Sequence, residues 1–177
     1  MRIELQNKMV LQPGTFTAVV APEKTIINLV NTNPDLQRYL SLFVGGTSSR
    51  ILPGIHRTVT RFEVQRAFTA HQLFTILTES AHTVILIEHD PTLYDQAWGM
   101  IAPIAGAIDE CSRDALVILY SPTADRAFCA LTQTANRFYF LSPLPKFPAN
   151  RPSPGISPYG ASAPSSYQRT LGVWLAA

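Results

Sequence analysis

A chain of 177 residues and 19.5 kDa has the length of one domain, or of one domain with an appendage. With 46% hydrophobic and only 15% charged residues it is neither a disordered polyampholyte nor a fibrous or disulfide-framework protein. The net charge of +2 is too small to imply a nucleic-acid partner, but it is unevenly spread. Residues 1–125 hold 9 basic and 12 acidic side chains, a net of −3, whereas residues 126–177 hold 5 basic and no acidic ones, a net of +5. Seven of the 14 prolines fall between Pro143 and Pro164.

Polar residues interrupt the first segment, Met-Arg-Ile-Glu-Leu-Gln-Asn-Lys, so it does not read as a signal peptide. No apolar run approaches the ~20 residues of a membrane span. Cys111 and Cys129, without a Cys-x-x-Cys or His companion, read as ordinary thiols of a reduced, cytoplasmic chain with no membrane partner.

In chain order, residues 15–22 read as a buried strand after the Pro13-Gly14 turn. Glu23 to Leu40 has helical spacing, with Pro34 starting a new segment or kinking the old one. Residues 41–46 form a short strand ending in glycines, and a loop runs to His56. Thr58–Glu63 alternates as a strand, and Thr69–Glu79 is a helix carrying Leu73, Ile76 and Leu77 on one face. Thr83–Glu88 and Ala115–Ser121 are uninterrupted apolar strands of the kind buried on both faces. Between them lies a helix over 91–112, interrupted or kinked near Pro103 and Gly106; after them come a helix from Ala124 to Ala135 and a strand over Arg137–Ser142. The alternation predicts an α/β fold, a mainly parallel sheet with helices on both faces, over residues 1–143. Residues 144–177 form a proline-rich basic extension in which Arg169–Leu175 reads as a closing strand, a disordered tail being the competing reading.

In such sheets ligands sit at the carboxyl ends of strands. The first strand runs into Ala21-Pro22-Glu23-Lys24-Thr25, and a Lys-Thr pair opening a helix is how a phosphate-binding loop, G-x-x-x-x-G-K-[ST], ends. Here Ala18 and Glu23 stand at the two glycine positions, which serve the close approach of amides to phosphate. The competing reading is a plain helix start with Glu23 in its first turn.

Arg66-Ala67-Phe68, His71-Gln72 and the strand Thr83–Glu88 together resemble the core of RecA/RadA-type recombinase ATPases. In those proteins a strand enters an Arg-Ala-Phe turn, and the helix that follows leads to the strand bearing the Mg²⁺-associated acid. The resemblance covers residues 13–143. It implies a RecA-like core, ATP with Mg²⁺ as cofactor, residual nucleotide contacts at Lys24, Thr25 and Glu88, a homo-oligomer or an active RecA/RadA-type paralogue as partner, and a role in DNA recombination or repair. The residues argue against hydrolysis. Both loop glycines are missing, and no acid follows Val44 to orient water, where the chain reads Gly-Gly-Thr-Ser-Ser-Arg. Phosphoryl transfer depends on such positioning, so the expectation is a non-hydrolysing binding or regulatory module with no catalytic residue. The alternatives are a divergent ATPase that borrows its acid and a scaffold subunit.

Strand geometry sends Glu88 and Asp90 to one side and His89 away, so Glu88-His89-Asp90 reads as a polar strand terminus capping the next helix and not as a metal site. Lys146, Arg151 and Arg169 alternate with Phe147, Tyr159, Tyr167 and Trp174, a composition that pairs phosphate contacts with base stacking on single-stranded DNA. A proline-rich strap protecting the sheet edge is the other reading of that end.

Overall fold

The computed structural model describes residues 3–5, 9–56 and 61–141. A short antiparallel pair, β1 (Ile3–Leu5) and β2 (Met9–Leu11), comes first; nothing in the apolar periodicity marks it. The remaining strands are β3 (Thr15–Val20), β4 (Ser41–Gly45), β5 (Phe62–Arg66), β6 (Val84–Glu88), β7 (Leu116–Ser121) and β8 (Arg137–Phe140). They form one sheet in the order β5-β4-β6-β7-β3-β8, with every neighbouring pair parallel. The α/β fold expected from the alternation of elements is the fold observed.

The helices are α1 (Glu23–Thr32), α2 (Pro34–Arg38), α3 (Ala70–Glu79), α4 (Ile101–Ser112) and α5 (Arg126–Leu131). A parallel sheet needs cover on both faces, and the side chains divide accordingly. Ala18, Val44, Ile85, Ile87, Val117 and Leu119 point to the layer of α3, α4 and α5, where Leu73, Leu77, Ile104, Ile108 and Phe128 meet them. Val19, Phe43, Leu86, Ile118 and Tyr120 point to the other face and pack on Ile26, Leu29 and Val30 of α1. Each core strand is thus apolar at consecutive positions because both its faces are interior.

Of the two alternatives expected for Glu23 to Leu40, the chain takes the new segment: Pro34 stands at the first position of α2, where its missing N–H costs nothing. Three boundaries differ from expectation. The edge strand is Phe62–Arg66, so of the expected Thr58–Glu63 only Phe62 and Glu63 are strand among the described residues, 57–60 lying outside them; it pairs with β4 from Ser41↔Phe62 to Gly45↔Arg66, which places Arg66 in the strand, ahead of the turn. The helix expected over 91–112 starts only at Ile101, after 3₁₀ turns at Pro91–Tyr94 and Trp98–Met100, so Pro103 falls in its first turn. The helix expected over 124–135 is α5 plus a 3₁₀ turn at Thr132–Thr134. The extension over 144–177, with its expected strand Arg169–Leu175, lies outside the described residues.

Candidate functional site at the carboxyl ends of the strands

β3 reaches Val20 and α1 begins at Glu23, so only Ala21 and Pro22 connect them. Ala18, the position of the first loop glycine, lies inside β3, in register with Leu119 and Phe138 and fully buried. Ala21 extends the ladder, its N–H donating to the Ser121 carbonyl at 3.2 Å. The chain therefore has a strand where a phosphate-binding loop would need to open, and Pro22, lacking an N–H, occupies half of what remains. Pro22 gives α1 no side-chain cap; Glu23 stands in the first turn, Lys24 is exposed, and the Thr25 N–H donates to the Pro22 carbonyl at 2.9 Å.

Strand register brings Glu88 into the same region. Val19, Tyr120 and Glu88 are neighbours in one row across β3, β7 and β6, all on the α1 side. Glu88 is only 7% exposed. Its Oε1 accepts the Arg50 backbone N–H at 2.8 Å, while Oε2 is buried without a partner. The Arg50 guanidinium approaches Glu23 at 3.6 Å, so this one residue links the acid of β6 to the start of α1. Both ends of that ion pair are well exposed and its contribution is small. The Tyr120 hydroxyl, also buried and unpartnered, is pushed up to about 12 by burial, with Glu23 and Glu88 adding to the rise. On the far side of the row sits Gly45, where a Cβ would lie 3.6 Å from Glu88 Oε2.

His89 takes the opposite face, as the period of two requires. Its Nε2 lies 2.8 Å from Asp125 Oδ2, and its ring packs against Tyr94 and Phe128 at 5.8 and 5.5 Å. Burial lowers the imidazole pKa against the opposing pull of Asp125. For Asp125 burial acts upward, but the Phe128 amide and His89 outweigh it and hold the carboxyl below its ordinary value. The pair is thus a neutral ring donating Nε2–H to a carboxylate. Asp125 also caps α5 by accepting the Phe128 N–H at 2.8 Å. Asp90 caps the turn at Pro91 by accepting the Thr92 N–H at 3.0 Å. A Cβ on Gly46 would lie 2.0 Å from Asp90 Oδ2, so a larger residue there would have to displace the Asp90 side chain.

These groups border an open cleft of about 490 Å³ above β4, β6 and β7, with Gly46, Arg50, Glu88, Asp90, Ser121 and Asp125 among its walls. That volume lies in the range of small-ligand sites. Glu88, His89 and Asp90 face three different partners, and of the three only Asp90 caps the turn that follows. Arg66 donates to the carbonyls of Gly46 and Thr47, both at 3.1 Å, and holds the loop after β4. His71 is exposed on α3, whereas Gln72 belongs to the cap: its N–H donates to Thr69 Oγ1 and its Oε1 accepts the Phe68 N–H. Sequence alone does not single out Arg50, Tyr120 or Asp125, because they join Glu88 and His89 only through strand order. Lys146, Arg151 and Arg169 lie outside the described residues.

No known family profile matches the chain. It is similar to an uncharacterized protein of Archaeoglobus fulgidus, 33% identical over 129 residues, a span that covers 72% of this chain and 65% of that protein. Among the described residues no helix is long and apolar enough to cross a membrane.

Proposed function

We propose that this chain is a RecA/RadA-like domain whose nucleotide site has degenerated, and that it works as a binding or regulatory module in place of an ATPase. The observation that carries this reading is the two-residue link Ala21–Pro22 between β3 and α1. A phosphate is bound by successive free amides at a loop and helix start; here the strand ladder takes Ala21, proline replaces the next donor, and a carboxylate opens the helix. The placement of Glu88 in one row with the strand that feeds α1 supports the ancestral half of the reading. Lys24, Thr25 and Glu88 are the residual nucleotide contacts, and a role in DNA recombination or repair follows by the resemblance alone.

Isothermal titration of the full chain with ATP and Mg²⁺ tests the proposal. The expected outcome is no saturation by about 1 mM, the upper end of ordinary substrate constants. Tight binding that Lys24→Ala abolishes contradicts it.

A further inference from the structure

Three carboxylates, Glu88, Asp90 and Asp125, line the open cleft above β4, β6 and β7. Arg50 is the one Lys or Arg among its described wall residues, and its guanidinium is drawn towards Glu23. Some of the acceptor oxygens are already taken. Asp125 uses both of its own, Oδ1 on the Phe128 amide and Oδ2 on His89. Asp90 Oδ1 accepts the amide and the hydroxyl of Thr92, at 3.0 and 2.6 Å, which leaves Oδ2. Glu88 Oε1 accepts the Arg50 amide, which leaves Oε2.

The backbone places these two remaining oxygens together. Glu88 and Asp90 are two residues apart in extended chain, Asp90 having φ −123° and ψ 107°. Their side chains leave on one side, from Cα atoms roughly 7 Å apart. Both oxygens stand beside the Gly45-Gly46 pair: a Cβ on Gly45 would lie 3.6 Å from Glu88 Oε2, and one on Gly46 2.0 Å from Asp90 Oδ2. No side chain of residues 45 and 46 therefore fills the space beside either oxygen. Glu88 lines the cleft although it is more than nine-tenths buried, and its Oε2 has no donor among the described residues. A buried carboxylate oxygen in that state costs free energy until a donor arrives.

Excess negative charge and two single free acceptors select the chemistry of a ligand. An anion is repelled. A guanidinium gains little from its two-pronged fork, because each of the two carboxylates offers one free oxygen. Ca²⁺ takes roughly 6–8 oxygens, and among the described residues no three His, Cys, Asp or Glu side chains gather to hold a metal ion. An ammonium fits, being a compact charge whose three N–H donors point to separate acceptors. We propose that the cleft binds a small primary amine, its ammonium group donating to Glu88 Oε2 and Asp90 Oδ2 and its alkyl part occupying the remaining volume. The inference stands on the free acceptors and the charge of the cleft, and does not depend on the family reading.

Isothermal titration of the full chain with putrescine, and with its fully N-methylated analogue at the same ionic strength, tests it. Putrescine should saturate with a dissociation constant of about 1 mM or lower. The methylated analogue keeps both charges but has no N–H, so it should bind at least about tenfold more weakly. Asp90→Asn keeps the oxygen that caps Thr92 and removes the charge; it should weaken putrescine about tenfold, and Glu88→Gln at least as much. The wild-type comparison of the two ligands decides by itself, whether or not a variant folds. No saturation by putrescine, equal binding of the methylated analogue, or wild-type affinity in both variants overturns the proposal.

Discussion

Two strand-to-helix junctions at the same edge of the sheet are built differently. At the start of α5, Asp125 accepts the Phe128 amide and holds the buried His89 ring through Nε2, so cap, ring and strand end form one hydrogen-bonded unit in which His89 Nδ1 alone lacks a partner. At the start of α1 there is no side-chain cap: Pro22 supplies only a backbone turn, Glu23 leans towards Arg50, and the nearby Glu88 Oε2 and Tyr120 hydroxyl lack partners. Helix starts leave amides to be satisfied. A junction that satisfies its own is serving stability, whereas one left incomplete, beside unpartnered buried oxygens, is where a function can reside.

The largest effect is expected from breaking the complete junction. Asp125→Ala removes an α5 cap and leaves the His89 donor unpaired in a buried site. Loss of a cap costs about 1 kcal/mol and an orphaned buried donor about 1–3, so urea denaturation should show a loss of about 2–4 kcal/mol. A cost below about 1 kcal/mol would mean that the ring finds another partner.

The same pair sets a pH dependence. Because burial lowers the His89 pKa in the fold, the unfolded chain binds more protons as pH falls below its ordinary value near 6.5. Stability from this group is complete above that value and declines as pH drops below it. Asp125, held below its ordinary value, contributes stability that is lost only at more acidic pH, near and below the usual carboxylate range. Denaturation midpoints measured between pH 7 and pH 5 should fall for the wild type and fall less for His89→Phe.

The smallest effect sharpens the comparison from the other side. Pro22 has the extended backbone of an N-cap, φ −60° and ψ 145°, so Pro22→Ser should gain a cap for α1 and stabilise the fold by up to about 1 kcal/mol. Thr69→Ala, which removes the existing cap of α3, should cost about the same amount. A destabilising Pro22→Ser would indicate that the rigid turn matters more than the missing cap.

How much was legible follows from these elements. Thr83–Glu88 and Ala115–Ser121 read correctly because a strand buried on both faces is apolar throughout. The edge strand Phe62–Arg66 misled because one side of its ladder is unpaired among the described residues and Val64 stays exposed, so periodicity is weak there. The turns at Pro91–Tyr94 and Trp98–Met100 hid in a run of helical composition because local spacing does not separate a 3₁₀ turn from an α-helix. At the site, the type and face of Glu88 were readable from a period of two. Its neighbours were not: Tyr120 lies beside it only because β7 is inserted between β3 and β6, and Arg50 only because the loop after β4 folds back over β6. The missing glycines were visible in sequence, and so was a strand running through Ala18; the Ala21 hydrogen bond to Ser121 that extends the ladder was not.

The central claim is that this junction does not support phosphoryl transfer. A phosphate-release assay on the full chain with ATP and Mg²⁺ tests it most directly: the account predicts release at background, identical for wild type and Lys24→Ala. Turnover above background that Lys24→Ala abolishes would contradict it.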